Sequence, residues 1–278
     1  MRKIKDGPER RHMKLNSVFY PFALILALSH ATAFAASPWL DTSRPCRIAI
    51  HIAASGFPRS ERPVDVPLNF NSIVASLGLP GSIKMESLRL MEVGANGAAI
   101  HTDVPYQFDR AKGQEAAANP NGTLIFLLSG ATLSNATRHY QLYFAVGTGA
   151  FTAPSFIPLV SVQDNVMDEG QSSFKITTRK GDWYYHKEGA GFSSLVDRDG
   201  GDWISYSTAT GSAGEYRGIP NTGHKEGYMH PGKTMSNSTL FRQGPLKITI
   251  ESLSKDGLWG GYWEMYPDYS VMTITKVS

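Results

Sequence analysis

Residues 46 to 52 read Cys46-Arg47-Ile48-Ala49-Ile50-His51-Ile52, and every second side chain from Cys46 onward is apolar or small and buriable. A period of two puts Cys46, Ile48, Ile50 and Ile52 on one face of a strand and Arg47 and His51 on the other. The alternation returns at Val64, Val66, Leu68 and Phe70 against Asp65, Pro67 and Asn69, and again at Tyr140, Leu142, Phe144 and Val146 against Gln141, Tyr143 and Ala145. Each run predicts a strand with one face buried and one wet. Thr123-Leu124-Ile125-Phe126-Leu127-Leu128 is apolar after its first residue, which predicts a central strand covered on both faces. Turn clusters at Ala53-Ala54-Ser55-Gly56 and Ala118-Asn119-Pro120-Asn121-Gly122 separate these runs. Helical periodicity is weak everywhere; residues 72–77 predict a single turn. The expected fold class is all-β, an amino-terminal antiparallel β-sandwich followed by a second β domain.

The second domain opens with Phe174-Lys175-Ile176-Thr177-Thr178, turns at Lys180-Gly181-Asp182 and returns through Trp183, Tyr184 and Tyr185. Residues 245–251 and 269–277 predict further strands. Prolines and glycines in 147–158 predict a connection. The expected division is 1–35 as a signal peptide, 36–150 as the sandwich, 151–168 as a linker and 169–278 as the second β domain. Val271, Ile274 and Val277 lie in a strongly β-patterned run at the very end of the sequence, which predicts a domain cut short, with apolar side chains uncovered.

From Met13 the chain reads MKLNSVFYPFALILALSHATAFA, with Lys14, an apolar core over 18–28 and the small-x-small signal Ala33-Phe34-Ala35. That pattern predicts cleavage after Ala35 and a secreted or periplasmic protein, and the apolar stretch is too short for a transmembrane anchor. Residues 1–35 carry six Lys or Arg and two Asp or Glu, so the remainder holds 21 basic against 22 acidic residues. A net charge near zero without a basic run argues against nucleic acid as a partner. Cys46 is the only cysteine, so no intramolecular disulfide can form, and its strand position predicts a small buried hydrophobe.

Residues 197–232 break the β pattern. They hold eight glycines, two histidines, five carboxylates and four Trp or Tyr, with neither helical nor strand periodicity. Aromatic faces with charged forks suit a sugar, whose ring carries hydroxyls over a partly apolar face; a long ordinary loop between strands has the same composition. Trp203, Tyr206 and Tyr216 are the candidate stacking residues. Breakdown of a uronic-acid polysaccharide by elimination needs a carboxylate neutraliser, a base and an acid. Asn221 or Arg217, His224 or His230, and Tyr228 or Tyr216 supply these in turn. Hydrolysis needs two carboxylates, for which Glu215 with Asp197, Asp202 or Glu226 are available. Asp197, Asp199 and Asp202 have the oxygen density of a calcium loop but not the EF-hand register, and no other metal spacing is present.

Phe192-Ser193-Ser194-Leu195-Val196-Asp197, Gly200-Gly201-Asp202-Trp203-Ile204, residues 214–221 (GEYRGIPN) and His230-Pro231-Gly232 resemble secreted bacterial carbohydrate-active proteins. In those, an amino-terminal β-sandwich precedes a galactose-mutarotase-like supersandwich. The resemblance covers about residues 170 to 278, where this sequence supplies the opening part of such a domain. It implies a polysaccharide or oligosaccharide ligand on a concave sheet face, without implying a reaction. The expected function is that of a polysaccharide-degrading enzyme, lyase before hydrolase, or of a non-catalytic carbohydrate-binding or adhesion module.

Overall fold

The computed structural model describes residues 38–209 and 228–277. The expected signal peptide, 1–35, lies outside them. The fold is all-β, with 53% of the described residues in strands and 4% helical.

The first half contains β1 (Cys46–Ala53), β2 (Arg59–Asn69), α1 (Phe70–Leu77), β3 (Ile83–Val93), β4 (Ala99–His101), β5 (Tyr106–Arg110), β6 (Asn121–Thr132) and β7 (Thr137–Val146). Its strands form two antiparallel sheets, β1-β7-β3-β4 and β2-β6-β5. Their inner faces share one core, in which Ile50, Leu90, Leu142 and Phe144 of the first sheet meet Val66, Leu68, Leu124 and Phe126 of the second. Cys46 is buried there as a hydrophobe. The helix is longer than the single turn expected over 72–77, and Phe70 opens it instead of closing β2. Asn69 is the reason: its Oδ1 accepts from the Ser72 N–H at 3.0 Å, capping the first turn. Phe70 nevertheless stays in the core.

The second half contains β8 (Ser161–Asp168), β9 (Gln171–Thr177), β10 (Gly181–His186), β11 (Gly191–Asp197), β12 (Ser236–Gln243), β13 (Ile248–Ser254), β14 (Gly260–Met265) and β15 (Ser270–Lys276). Two four-stranded antiparallel meanders result, β11-β10-β9-β8 and β12-β13-β14-β15. Phe174, Ile176, Tyr185 and Phe192 of one face Ile248, Ile250, Trp263 and Met265 of the other across a common core. The linker expected to run to 168 therefore ends earlier, since β8 is a full member of its sheet; its weak alternation, with mostly exposed side chains, hid it. Among the described residues β15 pairs only with β14. Val271 (38% exposed) and Ile274 (50%) of this strand, and Val277 (59%) just after it, are exposed.

The halves meet through the outer face of β6. Leu124 and Phe126 turn into the first core, while Ile125 packs on Leu246 and Tyr266, so β6 is covered on both faces. Gln107 is the polar bolt of this seam. Its Oε1 accepts from the Leu246 and Lys247 N–H groups, and its Nε2 donates to the Lys247 carbonyl and to Asp109 Oδ1. Gly244 makes room for it, because a Cβ there would sit 2.2 Å from the Gln107 amide carbon. Lys247 is buried among Glu264 (2.7 Å), Asp109 (3.3 Å) and Asp65 (3.6 Å). Burial pushes its ammonium down, but these carboxylates outweigh burial and its pKa is raised.

Candidate functional site

After β11 the chain turns back along that strand's free edge. Asp197 builds the turn: its Oδ1 accepts from the Asp199 and Gly201 N–H groups at 3.0 and 2.9 Å. Asp202 builds the return, its Oδ1 accepting from the N–H groups of Leu195, Ile204 and Ser205. The Trp203 and Tyr206 N–H groups then donate to the Leu195 and Ser193 carbonyls, extending the sheet by an irregular edge. A calcium ion in this turn would have to compete with those amides for Asp197 and Asp202.

Trp203 is 62% exposed, yet its indole is fixed, Nε1 donating to Asp197 Oδ2 at 2.6 Å. That bond is the leading cause of the lowered Asp197 pKa. An aromatic face of this size in water, held at its nitrogen, is a ready stacking surface. Three residues on, Tyr206 meets His186 edge-on at 5.8 Å between ring centres and His230 at 6.1 Å.

His186, at the end of β10, is wholly buried. Its Nδ1 accepts from the Gly232 N–H at 2.9 Å, which places its own proton on Nε2, 3.5 Å from Asp168 Oδ2. At that length the second contact is electrostatic rather than a hydrogen bond, and Nε2 has no hydrogen-bond partner among the described residues. Ser193 donates to the same carboxylate. Burial pushes the Asp168 carboxyl up, but the His186 ring and the Ser193 hydroxyl more than compensate and hold its pKa low. Gly232 is required here: its φ is +79° and any Cβ would collide with the Tyr206 hydroxyl. His230 Nδ1 donates to the Pro231 carbonyl at 2.6 Å.

The chain on both sides of residues 210–227 is thus secured at one place, Tyr206 before them and His230 with Gly232 after them. Of the sequence-predicted site residues, Trp203, Tyr206 and His230 lie along this edge. Tyr228 belongs to a neighbouring group: its hydroxyl donates to Asp256 and its ring lies 5.8 Å from Trp259. Glu215, Tyr216, Arg217, Asn221, His224 and Glu226 lie outside the described residues. Sequence reasoning missed Asp168, His186 and Ser193, which come from three strands; the only local signal was the polar end of each run, Asp168 before Glu169-Gly170 and His186 after Trp183-Tyr184-Tyr185. The arrangement offers an aromatic face, a partly exposed imidazole and a phenol raised above its ordinary pKa by burial and the Glu169 charge. Asp168 and His186 are committed to holding that framework. No family model, curated protein or solved structure matches the chain.

Proposed function

We propose that this protein binds a polysaccharide or oligosaccharide along the free edge of β11, with Trp203 as the stacking residue and Tyr206 and His230 beside it. The observation that carries the reading is Trp203 itself, largely in water but locked by Asp197. A solvent-facing indole with fixed orientation loses little freedom when a sugar ring settles on it. The resemblance of residues 170–278 to carbohydrate-active proteins supports the same ligand class, and the sequence-predicted signal peptide supports a secreted or periplasmic site of action.

Polysaccharide breakdown, by elimination or hydrolysis, is the second reading. Tyr206 and His230 favour it, because a phenol and an imidazole 6.1 Å apart flank the segment that contains Glu215, Arg217 and His224. Calorimetric titration against a panel of uronic and neutral oligosaccharides tests the binding reading. At least one member binds the wild type, and Trp203→Ala weakens it at least about tenfold, or 1.4 kcal/mol. Absence of binding across the panel, or full affinity in Trp203→Ala, overturns it. Release of unsaturated uronate or new reducing ends, abolished in His230→Ala, separates breakdown from binding alone.

A further inference from the structure

A second concavity lies at the seam, away from residues 197–232, where β1 and β2 meet the turn between β14 and β15. It has a volume of about 330 Å³, and His51, Arg59, Arg62, Asp65, Tyr266 and Tyr269 contribute its polar and aromatic lining. Ile52, Val64 and Leu128 form an apolar floor. A concave apolar surface with a few convergent polar groups is the usual form of a small-ligand site.

Arg62 is its least explained residue. The guanidinium lies over the Tyr269 ring, 4.6 Å from the centroid, and Tyr269 is itself stacked on Tyr266 at 4.9 Å. Stacking orients the planar fork but satisfies none of its N–H donors. Among the described residues no carboxylate lies within ion-pair distance of Arg62, although Asp65 lines the same cleft. Asp65 is turned to the seam instead, its Oδ2 accepting from the Tyr266 hydroxyl at 2.8 Å and lying 3.6 Å from Lys247.

The backbone adds an independent observation. The β2–β6 register shifts between Ser60 and Arg62, and Glu61 occupies the left-handed region at φ +49°, which a residue with a side chain adopts only at a cost. Glu61 is held there by its own contacts, Oε1 accepting from the Gly130 N–H and Oε2 from Arg179. A strained bulge immediately before an exposed arginine that is laid over a ring and paired with no carboxylate among the described residues, at the mouth of a cleft, is the geometry of a site.

We infer that this cleft binds a compact ring compound carrying a carboxylate, with Arg62 receiving the carboxylate through its fork and the ring resting on the apolar floor. The charge of the lining selects the anion. Arg62 brings to the cleft a single charge that no carboxylate among the described residues pairs, which suits a monoanion better than a phosphate dianion. His51 adds none near neutrality, because burial and the neighbouring His139 lower its pKa. A planar carboxylate also matches a guanidinium edge in two parallel hydrogen bonds. An acidic sugar and an aromatic acid share this chemistry.

Calorimetric titration of the full chain with galacturonate, benzoate, galactose and inorganic phosphate tests the inference. Galacturonate, benzoate or both bind, more weakly as salt is raised, and Arg62→Gln weakens them at least about tenfold while its thermal unfolding matches the wild type. Binding of galacturonate alone identifies an acidic sugar, and of benzoate alone an aromatic acid. Phosphate binding as tightly as the carboxylates, galactose binding as tightly as galacturonate, unchanged affinity in Arg62→Gln, or no carboxylate binding at all overturns it. Trp203→Ala serves as the reference variant: it leaves this cleft intact, so the two sites fail or stand separately.

Discussion

The two halves of the molecule are both pairs of antiparallel sheets, but their interiors are built differently. The first core is mostly hydrocarbon with two tyrosines, one of which, Tyr106, donates to the Leu88 carbonyl at 2.8 Å, burial pushing its phenol up to about 12; the buried polar groups of this half, among them Ser87, Thr132 and Gln141, are fewer. The second interior is laced with polar groups. Tyr185 and Ser252 hydroxyls meet at 2.9 Å, Ser252 and Ser238 at 2.7 Å, and His186, Ser173, Ser193 and Ser236 are all buried. One half is therefore held mainly by volume and the other by volume plus buried hydrogen bonds, with His186 Nε2 and Ser236 Oγ left without a partner among the described residues. Apolar packing forgives small changes of shape, whereas a polar interior is sensitive to single missing partners. The glycan edge proposed above lies on the second kind of interior, where His186 fixes the framework around Tyr206.

The largest expected effect is a hole in the first core. Phe126→Ala removes a fully buried ring whose centre lies 4.7 Å from that of Tyr140, at a tilt of 56°, and is expected to cost about 3–5 kcal/mol in denaturant unfolding. A loss below about 1 kcal/mol would break the view that packed volume holds this half.

His186→Leu comes next, at about 1–3 kcal/mol, because the volume is kept while the Gly232 N–H loses its acceptor. The same variant is expected to loosen the Tyr206–His230 contact and weaken any glycan bound over Trp203. Unchanged stability with unchanged binding would show that the polar interior is incidental to the site. Tyr185→Phe is smaller, about 1 kcal/mol, since only one hydroxyl leaves and Ser252 keeps Ser238 as a partner.

The smallest effect is in pH and it separates the halves again. His51 faces His139 across β1 and β7, with their Nδ1 atoms 2.6 Å apart, and burial followed by the His139 charge lowers its pKa. The unfolded chain then takes up a proton at about pH 6.5 that the folded chain resists, so stability is full above that pH and declines as pH falls toward the lowered folded value. His51→Gln is expected to remove this decline in unfolding measured at stepped pH. A second decline, below the ordinary Asp value of about 3.9, is expected from Asp168, whose folded pKa is also depressed. It survives in His51→Gln and is reduced in Asp168→Asn. A decline in His51→Gln identical to the wild type would place its origin elsewhere.

Strands with clean alternation were legible because period two needs only one buried face: β1 and β7 lie where that pattern predicts them, as does β2 apart from Phe70, and β9 and β10 lie on either side of the turn expected at 180–182. Strand β8, mostly exposed, and the start of α1, set by a side-chain cap, were not, because neither carries the periodic signal. Of the site, the aromatic face was legible in Trp203, Tyr206 and His230, since an unpatterned Gly-rich run with rings stands out against strands. Asp168, His186 and Ser193 were hidden, the first two being single polar residues at the ends of ordinary strands and Ser193 one of two serines inside β11.

The sequence by itself determined the all-β class, the burial of Cys46 and the double covering of β6, because local periodicity and hydrophobicity are properties of short runs. Only the tertiary structure decided which sheets face each other, that Gln107 bolts the halves together, and that Arg62 lies on Tyr269 at the mouth of a cleft. The last two contacts join residues more than a hundred positions apart, and no spacing along a chain records a distance that folding alone closes.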